Sequence, residues 1–381
     1  MKIVIAPDSF KGSASSIGIA AAIQKGIQKV CPHAKFDLVP IADGGEGTCE
    51  AVMASAAGEW IARRVTGPLG APVDARYCML KDHTAVIEMA AASGLTLVPH
   101  DELDPMRATS FGTGELIRDA LERDTRRLII GIGGSATNDG GAGMLQALGG
   151  SLRDGEGREL GFGGGELSKL YALDLSKLDP RIKECDITIA CDVTNPLLGP
   201  KGASAVYGPQ KGAAAEQVRI LDQNLAHFAR IVREATGIDA ADREGAGAAG
   251  GLGYGLLVFL GASLKRGIDT MLDLAGFDGR IRDADLVITG EGRIDAQSAF
   301  GKVPAGVAAR VKRAGEIPVV AFAGGIGEGA EKLHDLGVDA MVSIVDGAME
   351  LKTAMERALE LTERCAERTM RLLLAGTKLS R

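Results

Sequence analysis

The segment RLIIGIGGSATNDGGAGMLQAL, residues 127–148, predicts a strand-turn-helix unit that is typical of α/β proteins. Its apolar start, Leu128–Ile132, has the length and composition of a buried strand, and a helix of small residues begins near Gly141. The turn between them is rich in glycine, which lets the backbone approach a ligand, and its amides lie at the positive end of the helix. We therefore predict that this turn holds a phosphate or a carboxylate, with a tight structural turn as the alternative.

The composition indicates a protein that works on small molecules. The 381 residues carry a net charge of −7, and no basic run is present that would bind nucleic acid or an anionic membrane. Aromatic residues make up only 4% of the chain, which is also unfavourable for stacking on bases. The 53 glycines cluster after apolar runs, where α/β proteins place their ligand-binding loops.

The sequence also predicts a cytoplasmic protein without a membrane span. The apolar run at the N-terminus is too short for a signal peptide, and nothing approaches the stretch of about 18 continuous apolar residues that a membrane helix needs. The six cysteines form no CxxC pair, so we expect reduced and mostly buried thiols.

The two ends of the chain show the same pattern, whereas the middle differs. Apolar strands alternate with helices over residues 1–66 and again over 283–381, which predicts one doubly wound parallel sheet. The intervening residues 67–282 contain a predicted antiparallel hairpin, Val73–Leu80 with Thr84–Met89, which is typical of a mixed sheet. We predict a discontinuous parallel-sheet domain with a second α/β domain inserted, and a binding site in the cleft between them.

The predicted elements of the outer domain set the expectations for its loops. The predicted strands are Ile3–Ala6, Leu38–Ala42, Leu286–Thr289, Val319–Phe322 and Met341–Ile344, and the predicted helices include Pro304–Arg313 and a long closing helix over Glu350–Leu374. In this interpretation the segments 290–295 and 324–327 are glycine-rich loops at strand exits. A strand at Asp186–Ala190 is predicted in the middle region.

Four acidic residues follow predicted strands within a residue or two of the carboxyl end: Asp8, Asp43, Asp192 and Glu291. Ligands of open α/β sheets bind outside those ends. Each acid alone would be an ordinary turn residue or helix cap. Together, beside glycines and lysines, they suggest a hard metal such as Mg²⁺, which takes one or two carboxylates plus phosphate oxygens.

Five cations lie in loops beside glycine or serine: Lys11, Lys201, Lys211, Arg293 and Lys302. A single one of these would be a solvated surface charge, but as a set with glycine-rich loops they fit phosphoryl transfer, which depends on positioning and charge neutralisation. The sequence contains no Walker A loop, no set of protein-kinase motifs and no Gly-x-Ser-x-Gly elbow. The five histidines show no metal-binding spacing.

Six strings, found in order along the chain, resemble the class I bacterial glycerate kinases. They are IVIAPDSFKGSASS (3–16), IADGGEGT (41–48), TSFGTGELI (109–117), GIGGSATNDGGAGMLQALG (131–149), ACDVTNPLLGPKGASAVYGPQKGA (190–213) and TGEGRIDAQSAFGKVPAGVA (289–308). The departures are small: Ala14 stands where the family commonly has leucine, and Ser298 where it has threonine. The resemblance implies a discontinuous Rossmann- or flavodoxin-like domain with an inserted α/β domain. It also implies transfer of phosphate from ATP with Mg²⁺ to D-glycerate, with 2-phosphoglycerate as the expected product and 3-phosphoglycerate as the less favoured one.

Roles for individual residues follow as hypotheses built on that resemblance. The catalytic carboxylate is Asp192, with Asp43 as the competing candidate. The substrate is held by Asp8, Ser9, Lys11, Ser135, Thr137 and Asn138; the ATP phosphates by Gly290, Arg293, Lys302, Gly324 and Gly325; and Mg²⁺ by Glu291 and Asp295. The expected partners are D-glycerate and ATP, without nucleic acid or membrane, in a monomer or homodimer.

Two other functions are kept as alternatives. The spacing Gly131-x-Gly133-x-x-Ala136 is close to a dinucleotide fingerprint and is the one feature that favours a nicotinamide-dependent oxidoreductase acting on a hydroxy acid. A non-catalytic sensor that binds a small acid would share the same loops. The sequence leaves open which domain binds adenine, which hydroxyl is phosphorylated and which carboxylates act as base or as metal ligand.

Overall fold

The computed structural model describes residues 1–299 and 301–379, so Phe300, which belongs to the motif at 289–308, lies outside the described residues. The chain divides into two units. Unit 1 is formed by residues 1–43, 50–57 and 268 onward, and unit 2 by residues 44–49 and 58–267.

Strands and helices follow one another along both units. In chain order, the strands are β1 (Lys2–Pro7), β2 (Lys35–Leu38), β3 (Gly58–Thr66), β4 (Pro72–Leu80), β5 (Thr84–Glu88), β6 (Arg127–Gly131), β7 (Ser151–Arg153), β8 (Ala172–Asp174), β9 (Asp186–Ala190), β10 (Ser263–Lys265), β11 (Leu286–Ile294), β12 (Val319–Ile326) and β13 (Ala340–Ser343). The helices are α1 (Ser16–Gln28), α2 (Thr48–Ser55), α3 (Ala90–Ser93), α4 (Phe111–Leu121), α5 (Ala142–Ala147), α6 (Ala203–Tyr207), α7 (Ala215–Thr236), α8 (Leu252–Phe259), α9 (Gly267–Leu274), α10 (Phe277–Ile281), α11 (Val303–Ala314), α12 (Lys332–Asp335), α13 (Leu351–Glu356) and α14 (Ala358–Leu379). Among the described residues, no helix combines the length and the apolar character needed to cross a membrane.

Unit 1 is built on a five-stranded sheet in the order β13-β12-β11-β1-β2, and every pair in it is parallel. Counted along the chain, this is the order 2-1-3-4-5 of the flavodoxin-like sheet, in which the strand order reverses beside the first strand. The first strand, β1, is fully apolar from Ile3 to Ala6 and is buried, because neighbouring strands and helices cover it on all sides. The predicted fold class, a doubly wound parallel sheet with a second α/β part inserted, is confirmed.

Strands β11 and β12 are longer than the sequence predicts. The predicted loops at 290–295 and 324–327 are wrong in large part, since Gly290–Ile294 and Ala323–Ile326 continue as paired strands. Pairing between β1 and β11 stops at Pro7 and Gly290, whereas β11 and β12 remain paired to Ile294 and Ile326. The two strands therefore project beyond the end of β1. Glycine in a sequence favours a loop, but here a partner strand supplies the hydrogen bonds.

Two further predictions for unit 1 are corrected. The second strand is Lys35–Leu38 rather than Leu38–Ala42; the segment 39–42 is buried but contains Pro40, which has no amide to donate to a sheet. The closing helix is divided into α13 and α14, because Arg357 leaves the regular helical conformation between them. Helix α1 is capped by Ser15, whose hydroxyl accepts a hydrogen bond from the Gly18 amide.

Unit 2 contains a six-stranded mixed sheet in the order β10-β9-β6-β5-β4-β3. The strands from β10 to β5 pair in parallel, and the β4–β5 hairpin predicted from the sequence is antiparallel, as is the β3–β4 pair. The segment 127–148 forms β6 at the centre of this sheet and then α5, whose cap residue is Gly141. The strand-turn-helix prediction for that segment is confirmed.

Candidate functional site

The carboxyl ends of β1 and β11 place two acidic residues of unit 1 at the point where the strand order reverses. Asp8 directly follows β1, and its amide donates to the carbonyl oxygen of Gly290 at 2.8 Å. Glu291 is the next residue on β11. Both side chains are buried, with 5% of each residue exposed. Gly290 itself lies within the sheet, where its backbone serves pairing.

A cavity of about 400 Å³ lies at this edge of the sheet and is lined by residues of unit 1. The sequence-predicted site residues that line it are Asp8, Ser9, Lys11, Glu291, Arg293, Lys302, Gly324 and Gly325. Residues predicted for the substrate, the phosphates and the metal thus share one cavity, although they come from distant parts of the chain. We call Asp8, Lys11, Glu291, Arg293 and Lys302 the charged wall.

The Asp8 carboxyl has an unusual environment. Its burial raises its pKa to about 7, and the nearby negative charge of Asp43 adds to the rise. One carboxyl oxygen accepts the Ser9 amide at 2.6 Å, which offsets part of the shift. The Lys11 ammonium donates a hydrogen bond to Oδ2 of Asp43 at 3.4 Å. The negative charge of Asp43 raises the pKa of Lys11. Asp43, the predicted alternative base, therefore acts electrostatically on both residues.

Glu291 has an unsatisfied oxygen. Its Oε1 atom is buried and makes no hydrogen bond to any residue that the structure describes, while Oε2 lies 3.7 Å from Nζ of Lys302. Burial raises the pKa of Glu291, and the nearby Ser298 hydroxyl and Lys302 ammonium offset part of this rise. A buried carboxylate oxygen without a partner is costly unless a ligand or ion completes its coordination.

Asp295, the second predicted metal ligand, is not among the residues that line the described cavity. Its Oδ2 atom pairs with Nε of Arg293 at 3.1 Å, and its Oδ1 accepts the Gln297 amide at 3.0 Å. The Gln297 hydrogen bond is the main cause of its lowered pKa. Over the described part of the chain, no group of three or more His, Cys, Asp or Glu side chains is placed to hold a metal ion.

Glycine in the projecting strands allows the segment after β1 to pack against them. A Cβ atom at Gly292 would lie 3.3 Å from Cα of Phe10, and one at Gly324 would lie 2.5 Å from the carbonyl oxygen of Gly292. A side chain at Gly324 would therefore displace the backbone of the neighbouring strand. The cavity wall depends on this close approach.

The glycine-rich turn of unit 2 is occupied by side chains of its own unit. The Lys211 ammonium donates to Oγ of Ser135 and to the carbonyl oxygen of Thr137, both at 2.7 Å. Lys211 is 1% exposed, and burial lowers its pKa to about 7, although the negative charge of Asp139 raises it in part. The sequence grouped Lys211 with the loop cations that suit phosphoryl transfer; in the structure it links the segment after α6 to this turn.

The amides at the start of α5 also have an internal partner. The Asp139 carboxylate accepts hydrogen bonds from the amides of Ser110, Gly141 and Gly143, at 2.8, 3.1 and 3.3 Å. A carboxylate therefore lies where the sequence predicts an anion, but the chain itself supplies it. The neighbouring Asn138 is buried, and its amide donates to Oγ of Ser204 at 2.9 Å, while its Oδ1 has no partner among the described residues.

Asp192, the predicted base, lies after β9 in unit 2. It is exposed, and its Oδ1 atom accepts the Gly267 amide at 3.0 Å. The roles of Asp192, Ser135, Thr137 and Asn138 stay predictions.

One side of the cavity was not predicted from the sequence. Ile326, Ile344, Val345, Leu351 and Met355 line it, and we call them the apolar wall. They end β12, follow β13 or belong to α13, and their apolar character suggested core positions rather than a site. The sequence carried no signal for them, because its periodicity did not indicate the break between α13 and α14.

Comparison with known proteins identifies close relatives over the whole chain. A family model described as the glycerate kinase family matches residues 3–374. The chain is 53% identical to a glycerate kinase of Bacillus subtilis (strain 168), over 100% of this chain and 99% of that protein. It is 50% identical to glycerate 2-kinase of Escherichia coli (strain K12), over 99% of both proteins. A crystal structure from Salmonella typhimurium LT2 that is assigned to glycerate kinase 2 has a TM-score of 0.90 and 48% identity, and covers 99% of both chains.

Proposed function

This chain belongs to the glycerate kinase family, and from that premise we propose that it transfers the γ-phosphoryl group of ATP to D-glycerate, giving 2-phospho-D-glycerate. The observation that supports the proposal is the cavity of unit 1, whose charged wall combines two buried carboxylates with three cations. Phosphoryl transfer needs such a set, because most of its catalysis is positioning and neutralisation of charge on the transferred group.

In the proposed reaction the 2-hydroxyl oxygen of glycerate forms a bond to the γ-phosphorus, and the bond from that phosphorus to the bridging oxygen of ADP breaks. The hydroxyl proton passes to a carboxylate. We assign this role to Asp192, with Asp43 as the alternative. Asp8 is a further candidate, since its pKa of about 7 is close to the optimum for a general base at neutral pH.

The remaining residues have binding roles in this proposal. Arg293 and Lys302 neutralise the ATP phosphates, and the backbone at Gly290, Gly324 and Gly325 lets the nucleotide approach the strand ends. Ser9 and Lys11, together with the turn that contains Ser135, Thr137 and Asn138, hold the carboxylate and hydroxyls of glycerate.

Magnesium is the metal that this chemistry uses, and the available donors fit it. The buried Oε1 of Glu291 lacks a partner among the described residues, and Asp295 keeps further lone pairs on oxygens that already accept hydrogen bonds. We assign these two residues as its protein ligands, consistent with the one or two carboxylates that Mg²⁺ takes beside phosphate oxygens. When bound there, the ion would neutralise part of the negative charge of the ATP phosphates.

The test is ADP release by the purified protein with and without D-glycerate, in the presence of Mg²⁺ and ATP. We expect release that depends on D-glycerate and stops when Mg²⁺ is chelated. Binding of glycerate without ADP release would instead favour the sensor, and oxidation of NADH with tartronate semialdehyde would favour the oxidoreductase.

The position of the phosphate is decided by the proton-coupled ³¹P spectrum of the product. Carbon 2 of glycerate carries one hydrogen and carbon 3 carries two, so a phosphate on carbon 2 gives a doublet and one on carbon 3 gives a triplet. We expect the doublet. A triplet would keep the kinase activity but replace the product by 3-phosphoglycerate.

A further inference from the structure

The apolar wall of the unit 1 cavity leaves large apolar side chains in contact with solvent. Leu351 is 75% exposed and Ile326 is 46% exposed, and both line the cavity. Scattered single apolar residues are normal on a protein surface, but here they border one concave site together with Val345 and Met355. Such an arrangement indicates that a flat apolar group covers them when the site is filled.

The two walls have a fixed order along the sheet. Asp8 follows β1 and Glu291 and Arg293 lie on β11, whereas Ile326 ends β12 and Val345 follows β13. Because the sheet order is β13-β12-β11-β1, the lining changes from apolar to charged across the carboxyl edge of the sheet. A ligand that matches this site has an apolar part at one end and an anionic part at the other.

The size of the cavity also limits the ligand. Its volume of about 400 Å³ lies in the range of pockets that hold drug-sized molecules, roughly 300–1,000 Å³. D-glycerate has three carbons, each bearing oxygen, and has no apolar face that would cover Leu351 and Ile326. An adenine nucleotide has a flat base and a polyanionic tail, so it matches both the volume and the order of the walls.

We propose that this cavity is the nucleotide site, with the adenine against the apolar wall and the phosphates against Arg293 and Lys302. The proposal rests on ATP as the phosphoryl donor of the proposed function, and it assigns the adenine to unit 1. It adds α13 to the functional elements, since Leu351 and Met355 lie on that helix. The Ser13 hydroxyl donates to the Met355 carbonyl oxygen at 2.8 Å and joins α13 to the segment that follows β1.

Gly325 offers a way to reduce the space without disturbing the fold. It lines the cavity on β12, a Cβ atom there meets nothing within 4 Å, and its backbone is not in the left-handed region. Gly279 on α10 shares the open surroundings and the ordinary backbone but does not line the cavity. Gly325→Ala therefore tests occupancy, and Gly279→Ala is its matched control.

The first experiment measures ADP binding by calorimetry. We expect Gly325→Ala to weaken ADP binding about fivefold or more, because the added methyl overlaps the ligand. Gly279→Ala should bind ADP as the wild type does. Equal ADP affinity in both variants would overturn the proposal.

A second experiment separates the base from the phosphates, with adenosine and inorganic tripolyphosphate as probes. Leu351→Gln should weaken adenosine binding about fivefold or more, because it removes apolar contact, and should leave tripolyphosphate binding unchanged. Lys302→Gln should have the reverse effect. Leu372→Gln is the control, since Leu372 is 73% exposed, close to the 75% of Leu351, but lies on α14 away from the cavity lining.

Two further outcomes distinguish a failure of this proposal from a failure of the proposed function. A rise in the KM for D-glycerate with unchanged adenosine and ADP affinities in Leu351→Gln would make it the acid site and overturn the proposal. Nucleotide binding with the expected pattern but without phosphate transfer to glycerate would leave the proposal standing and refute the proposed function instead.

Discussion

Asp8 is the residue at which environment changes chemistry most clearly. An exposed aspartate is fully charged at neutral pH, but burial and the charge of Asp43 raise the pKa of Asp8 to about 7. Below that pH the carboxyl is protonated and cannot accept a proton. If Asp8 is the base, kcat/KM falls as the pH falls through about 7, since this ratio reports the free enzyme.

We therefore expect the acidic limb of the kcat/KM profile to lie near pH 7 and to disappear in Asp8→Asn. In Asp43→Asn it should move to lower pH, because a charge that raises the pKa of Asp8 is removed. If instead Asp192 is the base, Asp192→Asn should lower kcat at least ~100-fold, and Asp8→Asn should lower it far less. The profiles of the three variants distinguish these assignments.

Lys211 is a buried cation whose titration affects stability. Its pKa is about 7 in the folded protein because it is buried, whereas an unfolded chain holds the lysine proton up to about pH 10.4. Between these values the unfolded state binds one more proton, so the free energy of unfolding rises with pH, by at most about 1.4 kcal/mol per pH unit. Below pH 7 Lys211 is protonated in both the folded and the unfolded state, so it no longer makes the free energy of unfolding depend on pH.

We expect Lys211→Met to lose this rise, measured by urea unfolding between pH 6.5 and 8.5. The variant also leaves the Ser135 hydroxyl and the Thr137 carbonyl without the side-chain nitrogen that donates to them. Its free energy of unfolding should therefore be lower than that of the wild type at pH 6.5 and at pH 8.5. Lys201→Met is the control, because Lys201 is exposed. Equal pH slopes in the wild type and Lys211→Met would contradict the prediction.

At the scale of elements, the contact between α1 and α14 depends on one glycine. A Cβ atom at Gly26 would lie 2.1 Å from the carbonyl oxygen of Glu363 and 2.8 Å from Cβ of Ala366. Gly26→Ala should therefore destabilise unit 1 by about 1–3 kcal/mol through overpacking, although alanine is the better helix former by about 1 kcal/mol. Urea unfolding measures the change, with Gly279→Ala as the exposed control. A stabilised Gly26→Ala would show that the helices move apart at no cost.

The elements also show which features the sequence could predict. Ile3–Ala6 is apolar at every position and Asp186–Ala190 at three of five, and local composition was enough to place both strands within a residue or two. Gly290–Ile294 and Gly324–Gly325 were predicted as loops because glycine-rich segments seldom form strands alone. Their strand conformation depends on pairing with each other, which is a tertiary contact and leaves no local signal.

For the site, too, local sequence features could be predicted, whereas features that depend on tertiary contacts could not. Asp8, Glu291 and Lys302 could be identified because each is a charged residue beside glycine or at a strand end. The place of Leu351 in the cavity and the burial of Lys211 could not be predicted, because in sequence these residues do not differ from a core leucine and a surface lysine. Their roles depend on which segments pack beside them.

At the scale of the whole molecule, each of the two units has a large apolar core among the described residues. Ile3, Ile19, Phe322 and Leu361 belong to the core of unit 1, which joins residues from both ends of the chain. The core of unit 2 includes Ile130 on β6 and other residues of the mixed sheet. A substitution that disturbs one core should therefore lower the free energy of local unfolding of that core more than that of the other core.

Native-state hydrogen exchange of Gly26→Ala tests this expectation peptide by peptide. We expect faster exchange in β1, β11 and β12, by about tenfold for each 1.4 kcal/mol of lost stability, since these strands share the core against which α1 packs. Amides of β5, β6 and β9 should exchange as in the wild type. In Lys211→Met the pattern should be reversed, because Lys211 holds a turn of unit 2. Equal acceleration in both sheets of Gly26→Ala would mean that the two cores open as one cooperative structure, and stability changes in either unit would then be felt throughout the chain.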